Sequence, residues 1–374
     1  MLRIGYDARR AFKNRTGLGN YARTLLTSLV GLFPQHRFYL YAQGKAQPDP
    51  TGLGPEWEQT LRSDSCLVRT DRKPLASWRR VVQSAARHQS DRLDLFHGLS
   101  NELPLDIGSQ KIASVVTVHD VIYKDFPQTY AWVDRKIYDF KTDKCLRHAD
   151  LVVAISRFTA DKILEHYPHF KGRLEVIPQA CAPCYYRAWS SAPSVPPVPG
   201  PYWLYVGSLI ARKNLMGILK ALAAHKPGDR LPLVVLGEGD GPYARQCRHF
   251  AQQHNLSVHW VQPRSQDLRL WYRHAVGLIY PSLQEGYGLP VAEALLSECP
   301  VLTSERSAML EACGPHALTV HPEDTEQMSG SRLQLASDSA LADRLRVQGK
   351  AYALQRLDPS LLAGQWMEAY QTLK

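Results

Sequence analysis

The chain has 374 residues, more than one hydrophobic core usually serves, so two domains of ordinary size are expected. A hydrophobic share of 44% with 21% charged residues is globular composition, and no apolar run approaches the roughly 20 residues that cross a bilayer as a helix. The net charge of +10 attracts anionic partners, but zinc-finger spacing, the aromatic-glycine signature of an RNA-binding sheet and long Lys/Arg runs are all missing, which argues against nucleic acid and for phosphorylated substrates or anionic lipid.

Along the first half, Met1-Leu-Arg-Ile-Gly-Tyr-Asp7 reads as a buried strand entering a turn rather than as the apolar core of a signal peptide, so residence in the cytoplasm is the expectation. Further strands are expected at 37–42, 94–97, 112–118, 151–155 and 174–177, alternating with helical patterns as in parallel α/β sheets. Thr16-Gly-Leu-Gly-Asn20 opens the helical pattern Tyr21–Leu29; Gly17 and Gly19 suit either an anion site or a tight turn. Between Pro74 and His88, apolar residues at 75, 78, 81, 82 and 85 with Arg79, Arg80 and Arg87 off that stripe describe a basic amphipathic helix. It either docks on anionic membrane at the inner face or packs on its own sheet. His119-Asp120, directly after the run Ile112–Val118, either serves a sugar hydroxyl and developing charge or is a structural histidine capped by its neighbour. Charge is concentrated here: residues 1–180 hold 27 Lys and Arg against 19 Asp and Glu, a net of +8, so this half is the better candidate for an anionic surface.

Seven scattered cysteines fit reduced thiols, and the lone pair Cys181-Ala-Pro-Cys184 lacks the second CxxC or spaced His of a zinc site. From Trp189 to Pro201, five prolines in thirteen residues exclude helix and central strand alike. That segment is read as a linker between an N-terminal domain, 1–188, and a C-terminal domain, 202–350, with a final helix in 351–374 returning toward the first. The second half repeats the α/β pattern, with strands expected at 202–206, 232–236, 257–261, 276–280 and 300–303. Two doubly wound Rossmann-like domains follow, with ligands bound beyond the carboxyl ends of the strands.

Two loops of the second half carry chemistry. Gly207 follows the strand at 202–206 and permits close backbone approach, while Arg212 and Lys213 suit a clamp on neighbouring phosphates, one as a planar fork and one as a point charge. Glu285-Gly-Tyr-Gly-Leu-Pro-Val-Ala-Glu293 puts two carboxylates eight residues apart across a glycine turn that enters a helix, with Pro290 in its first turn. The amides from 287 to 292 are expected to point outward as donors, beside two acceptors for hydroxyls.

This last segment resembles the E-x7-E signature of the family 4 retaining glycosyltransferases. Gly17 and Gly19, His119, Ser156 in Ala-Ile-Ser-Arg, Gly207 with Arg212-Lys-Asn, and Gly237-Glu-Gly239 fall in the order that family shows. The resemblance implies a GT-B fold, a nucleotide-sugar donor held mainly by the C-terminal domain and a glycan or polyprenyl-linked acceptor held mainly by the N-terminal one. It implies that Glu293 binds the ribose hydroxyls, that Arg212 and Lys213 bind the diphosphate, and that Glu285 with Gly286, Tyr287, Gly288 and Leu289 holds the donor sugar. His119 would lie near the reacting end, and Pro263 and Arg264 beside the base. Two departures stand out: Tyr287 where Phe is frequent, and Ala180 where many relatives have Gly.

The implied reaction is transfer of a hexose with retention of configuration, GDP-mannose being the first donor considered and a UDP-sugar the second. No Asp-x-Asp motif occurs, so no metal or other cofactor is expected and the two cations are assigned the leaving phosphates. A sugar phosphorylase or nucleotide-sugar epimerase on the same fold is the alternative.

Overall fold

Short runs of β-branched and aromatic residues form strands buried on both faces, as parallel sheets covered by helices require. The computed structural model describes residues 1–14, 17–43, 53–71, 89–189, 198–225, 231–262 and 268–373. They form two units, Met1–Ala182 with Leu357–Lys374, and Pro183–Arg356. The segment 74–88, read above as an amphipathic helix, and Pro263 and Arg264 lie outside the described residues.

The first unit is built on β1 (Arg3–Asp7), β2 (Arg37–Gln43), β3 (Cys66–Asp71), β4 (Leu95–Gly98), β5 (Ala113–Val118), β6 (Leu151–Ala154) and β7 (Leu174–Val176), all parallel in the order β3-β2-β1-β4-β5-β6-β7. Ile4 pairs with Phe38 on one side and Leu95 on the other, so the order reverses at β1. A short helix α1 (Arg9–Lys13) leads into α2 (Gly17–Leu32), which buries Tyr21, Ala22, Leu25, Leu26, Leu29 and Val30, a stripe of helical period, against this sheet. On the other side of the unit, α3 (Trp132–His148) contributes Cys145 and Leu146 to a cluster with Val116, Val152 and Ile163.

The second unit repeats the plan with β8 (Trp203–Val206), β9 (Leu233–Leu236), β10 (Val258–Val261), β11 (Gly277–Tyr280), β12 (Val301–Ser304) and β13 (Leu318–Val320), parallel in the order β10-β9-β8-β11-β12-β13. Its switch point lies between β8 and β11, whose carboxyl ends feed α4 (Leu215–Ala223) and α5 (Leu289–Leu296). The chain then returns to the first unit in α6 (Pro359–Gln371), begun by Asp358, whose Oδ1 accepts from the backbone N of Ser360 and Leu361, both at 2.8 Å. Leu362, Ala363, Trp366, Met367 and Tyr370 complete the core that α2, β1 and β2 begin.

All eleven strands expected from sequence are present within a residue or two of their expected ends, and β3 and β13 are additional. Both additions are outermost strands of their sheets, so neither carries the continuous apolar run of an inner strand. All seven cysteines are free thiols, and burial pushes those of Cys66, Cys145 and Cys299 up to about 12. Among the described residues no helix is long and apolar enough to cross a membrane.

Candidate active site

The second unit gathers its charged groups where β8 and β11 end. Beyond β8, Gly207 has φ +149°, and a Cβ there would stand 3.0 Å from Lys213 Nζ, so the glycine makes room for the ammonium group. A turn of 3-10 helix, Ala211–Lys213, places Arg212 and Lys213, and Asn214 then takes the left-handed conformation to cap α4 through its side chain. The Asn214 Nδ2 also donates to Pro281 O at 3.3 Å, and Leu283 N donates to Arg212 O at 2.8 Å, so the loops after β8 and β11 are tied together.

Glu285 is the centre of this junction. Its Oε1 lies 3.0 Å from Arg212 Nη1 and 3.7 Å from Lys213 Nζ, and it accepts from Tyr280 Oη at 2.9 Å and Ser282 Oγ at 3.1 Å. Arg212 also donates to the Gln284 carbonyl, and Lys213 to Tyr280 Oη at 2.9 Å. Burial opposes ionisation of Glu285, but Lys213, Arg212 and the Tyr280 hydroxyl together outweigh it and hold the carboxyl below its ordinary range.

Glu293 has the opposite balance. It is buried within α5, and burial pushes it up to about 7; the hydroxyls of Tyr272, 3.1 Å from Oε2, and Tyr185 offset only part of that, with Lys213 a weaker influence in the same sense. Gly288 precedes the helix at φ +103°, and a Cβ there would stand 2.3 Å from Met309 Cε. Gly286, Tyr287 and Gly288 are buried and Leu289 is half-buried. The expectation that all amides from 287 to 292 face outward needs correction: Val291 N and Ala292 N bond Gly288 O at 2.9 and 3.3 Å, closing the first helical turn, and Pro290 has no N–H to offer.

The sequence-predicted residues of the first unit lie on two elements. His119 follows β5, buried but 6% exposed, with Nε2 2.9 Å from Leu99 O and the Tyr21 ring edge-on at 4.7 Å. A carbonyl only accepts, so Nε2 carries the proton; burial, reinforced by Arg10 and only partly countered by that hydrogen bond, pushes the imidazole down to about 4. His119 is therefore neutral at pH 7, with Nδ1 as an acceptor. Asp120 Oδ1 accepts from Ile122 N at 3.1 Å in the following turn. Gly17 and Gly19 form the first turn of α2, where a Cβ on Gly19 would stand 1.8 Å from Asn14 O; close packing of α1 on α2 accounts for this glycine. Ser156 caps the helix Arg157–His166 by accepting from Thr159 N at 2.9 Å.

Beneath His119 runs a buried polar string absent from the sequence reading. Tyr370 Oη on α6 meets His97 Nδ1 at 2.7 Å, His97 Nε2 meets Thr117 Oγ1 at 2.8 Å, and Thr117 Oγ1 meets Tyr21 Oη at 3.0 Å. Tyr280, Ser282, Asn214 and Tyr272 were likewise unassigned from sequence. The signal for the first two was their position, Tyr280 ending an apolar strand and Ser282 just beyond it. As for metal donors, among the described residues Asp125, Glu165 and His166 come within ligand reach of one another, but Lys162 already pairs with both carboxylates at 3.3 and 2.9 Å.

Two Rossmann-like units, one with cations and carboxylates at its switch point, define the class. The fold is similar over its whole length to sucrose-phosphate synthase from Thermosynechococcus elongatus (TM-score 0.76, 20% identity, 100% of this chain and 99% of that one) and to Anabaena HepE in complex with UDP-glucose (TM-score 0.73, 15% identity, 100% of both). It is a GT-B fold. Residues 15–181 match the family described as Glycosyltransferase Family 4 and residues 190–352 the one described as Glycosyl transferases group 1. The O-antigen chain mannosyltransferase B of Escherichia coli is 28% identical over 283 residues, 70% of each chain. The chain belongs to the family 4 glycosyltransferases.

Proposed function

We propose that the protein transfers a hexose, mannose from GDP-mannose as the first reading and a sugar from a UDP donor as the second, to a glycan or polyprenyl-linked acceptor in cell-surface polysaccharide synthesis. The observation that carries the reading is the meeting of Arg212, Lys213 and Glu285 at the β8/β11 switch point, with Glu293 one helical turn inside α5. The likeness to an O-antigen chain mannosyltransferase supports the choice of mannose and of a surface polysaccharide. Action at the inner face of a membrane belongs to the same proposal.

In this mechanism the bond from the anomeric carbon to the nucleoside diphosphate breaks, the acceptor oxygen bonds that carbon on the same face, and the acceptor's proton passes to the departing phosphate. Configuration is retained. Lys213 and Arg212 take up the charge that grows on the phosphate, without a metal. Glu285, ionised, accepts hydroxyls of the sugar, and Glu293 those of the ribose. Gly286, Gly288 and Leu289 line the sugar with backbone, His119 offers its Nδ1 near the reacting end, and Arg264 is assigned to the base.

Lys213→Ala tests the clamp. Transfer should fall by about two to three orders of magnitude, the range for losing one transition-state charge contact, while circular dichroism and thermal midpoint stay close to wild type. Wild-type turnover in that variant removes the clamp. Wild-type rate should also survive EDTA, and loss of activity restored by a divalent cation would overturn metal independence.

A further inference from the structure

Helix α3 wears its large side chains on the outside. It buries Thr142, Cys145 and Leu146, yet Trp132 is 64% exposed, Val133 57%, Ile137 43% and Phe140 58%. At the helical period, Trp132, Lys136, Phe140 and Lys144 stand four residues apart along one ridge, Val133 and Ile137 lie beside it, and Thr142 is on the far side. Exposed apolar residues normally occur singly, so four on one face of a 17-residue helix mark an interaction surface.

The charges around the patch say what covers it. Lys136 holds its ammonium 6.0 Å from the Trp132 ring, and Lys144 and Arg147 continue the ridge. Of the helix's three carboxylates, Asp139 pairs with Lys124 at 2.6 Å and Asp143 with Arg147 at 2.8 Å and His169 at 2.7 Å, while Asp134 is exposed but stands off the ridge, two residues from Trp132. The face is therefore cationic as well as aromatic, in the half of the chain with a net charge of +8. Two copies of it would bring like charges together, which opposes self-pairing. Aromatic rings that enter a headgroup layer, with lysines reaching back to phosphates, fit an anionic bilayer surface.

We propose that this face of α3 docks on anionic lipid, with Trp132, Val133, Ile137 and Phe140 entering the boundary between headgroups and acyl chains and Lys136 and Lys144 meeting lipid phosphates. The proposal rests on the reading of an acceptor presented at a membrane and gives that reading a surface among the described residues.

Flotation of the full chain with phosphatidylcholine vesicles, with and without phosphatidylglycerol, tests it. Wild type should float with the anionic vesicles at low salt and be released by high salt. Trp132→Ser with Phe140→Ser should weaken partition by at least about tenfold, as should Lys136→Gln with Lys144→Gln on anionic vesicles. Absence of wild-type binding, or equal binding by the Trp132→Ser/Phe140→Ser variant, overturns the proposal. So does concentration-dependent self-association that the same variant abolishes, which assigns the face to a second copy. Transfer to a water-soluble acceptor should be unchanged in all variants, so failure of docking leaves the transferase reading standing, and a wild type that floats but transfers nothing fails only that reading.

Discussion

Glu285 and Glu293 are eight residues apart and chemically opposite. Glu285 lies against two cations and stays ionised; Glu293 has tyrosine hydroxyls as its closest partners, and burial raises it to about 7. A carboxyl whose folded pKa exceeds its unfolded one binds more protons when folded, so stability is fullest below the unfolded value near 4.5 and declines as pH rises toward 7. Between pH 5 and 8 wild type should lose roughly 2–3 kcal/mol relative to Glu293→Gln. Urea unfolding of both proteins across that range measures it, and a gap that does not change with pH would show that Glu293 titrates alike in the folded and unfolded chains. The sequence gives both glutamates and the glycine turn but not their charge states, because Tyr272 and Tyr185 reach Glu293 from other segments, and Arg212 and Lys213 reach Glu285 from the loop after β8. Residues adjacent in sequence were readable as a pair; residues joined only by the sheet order were not.

Among the elements, α2 shows how one residue type can carry two meanings. Gly19 and Gly31 both lie in it, yet a Cβ on Gly19 would stand 1.8 Å from a backbone oxygen of Asn14, whereas a Cβ on Gly31 meets nothing within 4 Å. Backbone cannot step aside as a flexible side chain can. Gly19→Ala should therefore cost about 2–3 kcal/mol, through separation of α1 from α2, and Gly31→Ala should be neutral or stabilising by up to about 1 kcal/mol. Thermal melts of the two variants decide: a Gly19→Ala protein as stable as wild type would mean that α1 moves off at no cost. The glycines before Tyr21 were legible as a helix start, but the contact that demands one of them depends on where α1 lies. The strands follow the same logic. Inner ones announce themselves by unbroken apolar runs such as Leu151–Ala154, while the outermost β3 mixes Arg69 and Thr70 into its run and β13 is three residues long.

For the molecule as a whole, the important feature is that the first unit is discontinuous in sequence. Trp366, Met367 and Tyr370 of α6 belong to the core of β1, β2 and α2, and Tyr370 closes the buried string through His97. A chain ending at Arg356 should lose the first unit's melting transition and keep that of the second, whose sheet and core lie within Pro183–Arg356. Calorimetry of the two chains tests this, and an unchanged first transition would show that the core closes without α6. Removing these aromatic side chains takes away several contacts each worth about 3–5 kcal/mol, enough to exceed the stability of an ordinary domain.

That discontinuity also sets a clock on synthesis. After Ala182 has been made, the ribosome must add the 174 residues from Pro183 to Arg356 before the first residue of the returning segment exists. At translation rates of about 5–20 residues per second, this is a wait of roughly ten to thirty-five seconds. Throughout it, the core that α2, β1 and β2 begin lacks the side chains of α6 that complete it. The nascent chain therefore offers a hydrophobic face to holding chaperones for far longer than a small domain takes to fold, and the half made first is the half finished last.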